Sequence, residues 1–358
     1  MSDPLAPGAT IGILGGGQLG RMLSVAASRL GFKTVIFEPG GDCSASHVAN
    51  YHYKADYDDE AALKAFAEAA DVITYEFENI PTSALDVIEA ITPVRPGRKA
   101  LRISQDRLTE KAFLADLGLA VAPYAAVDDE IDLTEAVAEI GTPAILKTRR
   151  FGYDGKGQVR LKGPEDIARA FADMSGAPAI LEGFVKFDYE VSVIGARSLS
   201  GDFASYTPGE NVHKDGILDT TTVPSRLSTQ AMHEAQGMAA RILEKLEYVG
   251  VMGVELFVTK QGLVVNEIAP RVHNSGHWTQ NGCAIDQFEQ HIRAVVGWPL
   301  GDGSHHTNVV MTNLIGEDVS KVPELSQDSA NAIHLYGKSE VKAGRKMGHV
   351  NRIIGPAG

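Results

Sequence analysis

Thr10-Ile-Gly-Ile-Leu-Gly-Gly-Gly-Gln-Leu-Gly20 opens the regular pattern of this chain. Thr10 to Leu14 is a short apolar strand, and glycines follow at once. From Gln18 to Leu30 the apolar residues Leu19, Met22, Leu23, Ala26, Ala27 and Leu30 recur at helical spacing. The alternation then repeats. Thr34-Val-Ile-Phe37 reads as a second strand, Ala61 to Ala70 as a helix, and Val72-Ile-Thr-Tyr75 as a third strand. Strand, helix, strand in succession predicts a parallel sheet covered on its faces. Gly15-Gly-Gly-Gln-Leu-Gly20 also matches G-x-G-x-x-G, and Glu38 ends the next strand, where a dinucleotide fold places an acid for ribose. Three readings stay open: a nicotinamide or flavin site, as in an NAD-dependent oxidoreductase; the phosphate of another ligand at the helix N-terminus; or glycines that serve only a tight turn.

Further along, Pro93, Pro96 and Gly97 break the alternation and suggest a domain boundary. A helix is expected from Ser104 to Leu117, with Ser104 as N-cap and Gly118 as its stop. Residues 143 to 297 are richer in strands and hairpins, interrupted by a helix from Thr229 to Leu246. The tail holds two strand-like runs, Asn308 to Leu314 and Ala332 to Tyr336. With 358 residues, two or three domains are expected. The net charge of −13 argues against broad binding to nucleic acid or to an anionic membrane. Cys43 and Cys283 make no disulfide framework, no apolar run is long enough to span a bilayer, and Met1 to Pro7 carries no signal-like pattern. A cytoplasmic protein is therefore expected.

Four stretches could carry chemistry. Lys147-Thr-Arg-Arg-Phe-Gly-Tyr-Asp-Gly-Lys-Gly-Gln158 puts a lysine at a strand end, followed by a glycine-rich loop. Such a loop can fold over a triphosphate with backbone N–H donors, although no Walker A sequence closes it. Val251 to Thr259 and Leu263 to Ile268 read as a hairpin. If it is regular and centred on Gln261, Glu255 and Glu267 fall opposite each other, with Cβ atoms roughly 5 Å apart. Magnesium suits such a pair, since it takes one or two carboxylates plus phosphate oxygens. Arg271-Val-His-Asn-Ser-Gly-His-Trp278 reads as a loop whose Arg271, His273 and Asn274 suit a polar substrate better than zinc. Lys338 to His349 is a basic cluster in an acidic chain, where Arg345 and Lys346 suit a terminal phosphate.

These pieces, in this order, resemble the ATP-grasp superfamily and, within it, the 5-(carboxyamino)imidazole ribonucleotide synthase family. The resemblance rests on Gly12 to Met22, Glu76-Phe-Glu-Asn-Ile80, Gln105-Asp-Arg-Leu-Thr-Glu-Lys111, Gly152 to Gln158, His213-Lys-Asp-Gly-Ile217, Asn266 to His277 and Gly344 to His349. It implies a mixed α/β and α+β fold: a Rossmann-like N-terminal domain over 1–100, a central ATP-grasp domain over 101–297 and a small C-terminal domain over 298–358. It implies ATP- and bicarbonate-dependent carboxylation of the amine of 5-aminoimidazole ribonucleotide in purine biosynthesis, through carboxyphosphate. Another ATP-grasp ligase, such as a formate-dependent ribonucleotide transformylase, is the nearest alternative.

Position by position, the resemblance places ATP against Arg107, Lys147, the loop Gly152, Tyr153, Asp154, Gly155, Lys156, Gly157 and Gln158, the hinge Glu182, Gly183, Phe184 and Val185, then Glu190, His213, Asn266 and Glu267. Glu255 and Glu267 would hold Mg²⁺. The ribonucleotide would meet Gln18, Leu19, Glu76, His273, Asn274, Lys338, Arg345 and Lys346. Asp154, Arg271 and Lys346 would act in catalysis, with Asp154 touching the amine. A homodimer is also expected, with small-molecule substrates as the other partners.

Overall fold

The computed structural model describes residues 3–152 and 155–357. Among the described residues the strands form three sheets. The first is four-stranded and wholly parallel. Its order is Tyr51–Tyr53, Lys33–Phe37, Thr10–Leu14 and Val72–Tyr75. The helices Gln18–Arg29, Glu60–Glu68 and Thr82–Glu89 connect and flank it. The predicted alternation is present, with one strand more than the pattern showed. Tyr51–Tyr53 is short and only partly buried, so it carries no apolar run to read.

The second sheet has four antiparallel strands in the order Tyr124–Val127, Ala179–Gly183, Ala144–Thr148 and Gln158–Leu161. The helices Glu130–Ile140 and Ile167–Asp173 back it with Leu133, Ala136, Val137 and Ala170. The third sheet is nine-stranded and antiparallel. It begins at the edge with Gly262–Ala269, continues through Gly250–Thr259, Tyr189–Arg197, Gly209–Lys214 and Ile217–Val223, and ends in Thr307–Ile315, Lys346–Pro356 and Asn331–Leu335, while the ninth strand, Phe203–Ser205, pairs with Tyr189–Arg197 off this path. The tail strands therefore extend the central sheet. One core also spans the chain, joining Leu19 and Leu23 to Phe288, Ile292 and Tyr336.

The helix expected from Ser104 to Leu117 is present as Arg107–Asp116, and a separate helix, Arg98–Ser104, precedes it. Asp106 is the N-cap of Arg107–Asp116, accepting from the N–H groups of Leu108 at 3.0 Å and Thr109 at 3.1 Å. Ser104 instead donates to the Leu101 carbonyl. The carboxylate wins because it meets two orphan N–H groups and the positive end of the helix dipole together.

Candidate active site

A cavity of about 600 Å³ opens between the small antiparallel sheet, the nine-stranded sheet and the N-terminal sheet. Its floor is the hairpin Gly250–Thr259 and Gly262–Ala269. Glu255 and Glu267 are register partners, as expected, but by a different route. The turn holds two residues, Lys260 and Gln261, so Leu256 faces Val265 and regular pairing would set Glu255 against Asn266. A register shift after Glu255 inserts Asn266 as a β-bulge and brings Glu267 opposite Glu255. Asn266 and Glu267 both line the cavity as a result.

The two carboxylates titrate apart. Burial and the charge of Glu267 push the Glu255 carboxyl up to about 7. Burial acts on Glu267 in the same sense, yet the charge and hydrogen bond of Arg107, 3.1 Å away, hold it down to about 2. Glu110, which no sequence pattern placed in the site, also lines the cavity, and burial plus the charge of Glu267 raise it to about 8. A divalent cation fits the Glu255/Glu267 pair, because the two carboxylates share one face of the hairpin and repel each other, and no Lys or Arg pairs with Glu255 among the described residues. Among the described residues no group of three His, Cys, Asp or Glu side chains gathers as a metal site. Two carboxylates that leave the remaining positions to phosphate and water match magnesium rather than zinc.

Above the floor, Lys147 is the penultimate residue of the strand Ala144–Thr148 and pairs with Glu182 at 2.9 Å. Lys111 adds a second cation 3.6 Å from the same carboxylate, whose Oε1 is buried without a partner. Gly152, Gly155, Lys156 and Gln158 line the cavity, and Arg107 donates to the Gly152 carbonyl at 3.2 Å. Gly157 lies behind the lining, where a Cβ would come within 2.6 Å of Thr148 Oγ1. Tyr153 and Asp154 fall outside the described residues. Glu182, Gly183, Phe184 and Val185 are not among the lining residues, and Phe184 packs under the Arg160 guanidinium at 4.5 Å.

Glu190 and His213 form a direct ion pair on neighbouring strands. Burial lowers the His213 pKa, but the hydrogen bond and charge of Glu190 outweigh it and the net shift is upward. Beside them, the rings of Phe187 and Phe257 stack at 4.6 Å and 10°, both in the lining with Ile145 and Leu218. This gives an apolar wall for a planar base next to polar groups for a sugar. Neither phenylalanine stood out in the sequence, because their contact joins the loop before Tyr189–Arg197 to the strand Gly250–Thr259.

At the N-terminal sheet, the glycine loop is already occupied by the protein's own acids. Gly16 N–H donates to Glu38 at 3.1 Å, Gly20 N–H donates to Glu76 at 2.8 Å, and Gly17 N–H also donates to Glu76. A Cβ at Gly15, Gly16 or Gly17 would lie within 2.6 Å of the Glu76, Cys43 or Glu38 side chains. An internal carboxylate thus sits where the phosphate readings put a ligand anion, and a dinucleotide pyrophosphate has no free N–H groups of Gly16, Gly17 or Gly20 to bind. Gln18, Leu19 and Glu76 nevertheless line the cavity.

Opposite them, Arg271, His273, Asn274 and Lys346 complete the wall. Arg271 grips Glu78 with Nε at 2.6 Å and a second nitrogen at 3.3 Å. Burial opposes ionisation of Glu78, but the Arg271 charge prevails and holds it below the usual carboxylate range. Burial, helped by Arg271, lowers His273 to about 3, and its Nδ1 meets Ser275 Oγ at 2.8 Å. His277 is buried against Gln287 rather than paired with His273. Both polar atoms of the Asn274 amide are buried without a partner, the mark of a group that awaits a ligand. The basic cluster divides. Lys346 reaches the cavity, whereas Lys338 donates to the Lys346 carbonyl at 2.6 Å and Arg345 to the Glu340 carbonyl at 3.0 Å, both outside the lining. Lys346 begins the strand Lys346–Pro356, a third strand in the tail beyond the two strand-like runs of the sequence.

Comparison with known proteins agrees with this layout. Family models match three segments: a ribonucleotide synthetase preATP-grasp domain over residues 8–105, an ATP-grasp domain over 112–288, and a phosphoribosylaminoimidazole carboxylase C-terminal domain over 309–355. The N5-carboxyaminoimidazole ribonucleotide synthase of Brucella melitensis is 56% identical over 352 residues, covering 98% of this chain and 97% of its own. The Bacillus subtilis enzyme of the same name is 43% identical, over 98% and 93% of the two chains. Among solved structures, the ADP complex of an N5-carboxyaminoimidazole ribonucleotide synthetase superposes with a TM-score of 0.96 at 43% identity, covering 99% of this chain and 94% of that one. The Aspergillus clavatus enzyme, in complex with ADP and 5-aminoimidazole ribonucleotide, superposes with a TM-score of 0.92 at 28% identity, over 98% and 94%.

Proposed function

The chain belongs to the N5-carboxyaminoimidazole ribonucleotide synthase family of ATP-grasp ligases, and from this we propose how its residues divide the work. It is an ATP-dependent ligase that carboxylates 5-aminoimidazole ribonucleotide in purine biosynthesis. The observation that carries our reading of the site is the single cavity joining the Lys147 loop, the Glu255/Glu267 pair and the unpartnered amide of Asn274. A nucleotide and a second substrate would meet there.

In this reading the N-terminal domain ends near residue 100 and the ATP-grasp domain near 297. Adenine lies against Phe187 and Phe257, near the Glu182 to Val185 backbone, and Glu190 holds the ribose beside His213. Arg107, Lys147 and the loop from Gly152 to Gln158 hold the phosphates. Glu255 and Glu267, with Asn266 beside them, would hold Mg²⁺, which neutralises phosphate charge. The co-substrate is bicarbonate, and the γ-phosphoryl group passes to it to give carboxyphosphate and ADP. Phosphoryl transfer needs position and charge stabilisation more than covalent help. The loop excludes water while carboxyphosphate exists.

The ribonucleotide lies against Gln18, Leu19, Glu76, His273, Asn274 and Lys346, with Lys338 and Arg345 near its phosphate. Neutral His273 and the Asn274 amide hydrogen-bond it, and Arg271, fixed by Glu78, faces the developing negative charge. Asp154 orients the amine or takes its proton. We further propose a cytoplasmic homodimer.

The test is ADP release with Mg-ATP and bicarbonate, with and without 5-aminoimidazole ribonucleotide. Stimulation by the ribonucleotide that needs bicarbonate, is not replaced by formate and is lost in Glu267→Ala is the expected result. ADP release indifferent to the ribonucleotide or to bicarbonate would overturn the reading.

A further inference from the structure

The bulge that brings Glu267 into the site is gripped on its outer side by the helix Arg107–Asp116. Gly262–Ala269 is an edge strand of the nine-stranded sheet, and its outer side meets no full strand, only a lone parallel bridge of Val265 with Val121 in which the Val265 N–H donates to the Ala120 carbonyl at 2.8 Å. Next to that bridge, helix Arg107–Asp116 covers the groups on either side of Glu267. Lys111 Nζ donates to the Asn266 carbonyl at 2.6 Å, and the Ile268 N–H donates to Glu110 Oε1 at 3.1 Å. Those two groups flank Glu267, whose carboxylate is held by Arg107 from the same helix at 3.1 Å. Three side chains of one helix thus grip Glu267 through its carboxylate and the groups on either side.

Covering an edge does not require this chemistry. Glu110 and Lys111 are only 4% and 2% exposed, and burying a carboxyl and an ammonium costs more than burying neutral groups that could make the same two hydrogen bonds. Lys111 does not line the cavity, so it acts on the site through the backbone it holds. A bulge leaves its extra residue without a ladder partner, and an unheld bulge is free to relax. Relaxation would return Asn266, not Glu267, to the place opposite Glu255.

We propose that Glu110 and Lys111 are positioning residues that lock the Asn266 bulge and so hold Glu267 in register with Glu255 for a divalent cation. The inference rests on the reading of that pair as the cation site.

The test is Mn²⁺ binding to the enzyme–ADP complex, followed by electron paramagnetic resonance of free Mn²⁺ without turnover. Glu110→Ala should weaken Mn²⁺ binding about tenfold or more, the size of effect seen when groups supporting a metal ligand are removed. Glu110→Gln keeps an acceptor for the Ile268 N–H and should stay within about twofold of wild type. Lys111→Met cannot donate and should behave like Glu110→Ala, while Glu182 keeps Lys147 at 2.9 Å. If Glu110→Ala fails to fold, Lys111→Met decides. A merely structural edge cover would lower Tm and leave Mn²⁺ affinity unchanged, and that result overturns the proposal. Equal weakening in Glu110→Gln would also overturn it, by showing that charge and not the grip matters. Wild-type enzyme that binds no Mn²⁺ with ADP would remove the cation site itself and the lock with it. Failure of ribonucleotide stimulation with Mn²⁺ binding intact would instead count against the proposed substrate.

Discussion

His291 joins two parts of the molecule and should make its stability depend on pH. It lies on the helix Gln287–Val296 and is fully buried. Val251 N–H donates to its Nδ1 at 3.0 Å, so the ring proton resides on Nε2, facing Thr74 Oγ1 of the N-terminal sheet at 2.7 Å. A second ring proton would point Nδ1–H at the Val251 N–H. Burial accordingly lowers its pKa from 6.5 to about 3. The unfolded chain then binds the proton more readily than the folded one. Stability is complete above pH 6.5 and is lost as pH falls from there toward 3. Between pH 7.5 and 5.0 these two values give a loss of about 2 kcal/mol from this one ring. His291→Gln should be less stable at both pH values, because the Val251 N–H loses its partner. Its additional loss on acidification should be smaller than that of wild type by about 2 kcal/mol. Urea unfolding followed by the fluorescence of Trp278 and Trp298 at the two pH values measures this difference of differences. Other buried histidines, including His277 and His349, contribute equally to both proteins and cancel. Equal pH dependence in the two proteins would refute the argument, since the protonated ring would then be tolerated in the core.

Further outcomes concern the cavity. Arg271→Ala leaves the half-buried Glu78 carboxylate without its partner and should cost about 1–3 kcal/mol in urea unfolding, with loss of ribonucleotide-stimulated ADP release. Gly17→Ala sets a Cβ 2.6 Å from Glu76 Oε1. It should destabilise by about 1–3 kcal/mol and raise KM for the ribonucleotide more than for ATP, because Glu76 shares the wall with Gln18 and Leu19. Glu267→Gln should lower kcat for ADP formation about 100-fold, and a near-normal kcat would remove Glu267 from the cation site.

Much of the architecture could be read from local sequence, because strand and helix periodicity and glycine loops are written over a few residues. The βαβ pattern from Thr10 to Tyr75, the Lys147 loop and the hairpin after Val251 are of this kind. The pairing of Glu255 with Glu267 was legible for an incomplete reason. A turn one residue shorter than assumed and one bulged residue cancel, and each alone would have set Glu255 against a different partner. The tertiary structure alone decided what fills the glycine loop, since Glu76 lies 59 residues from the Gly17 N–H it accepts from. It also decided that Lys346 faces the cavity while Lys338 and Arg345 turn to backbone carbonyls. The grip of Glu110 and Lys111 on groups 158 and 155 residues away belongs here too. Periodicity records which face of an element is buried. Which distant polar group meets it depends on how the sheets are brought together, and no local pattern carries that information.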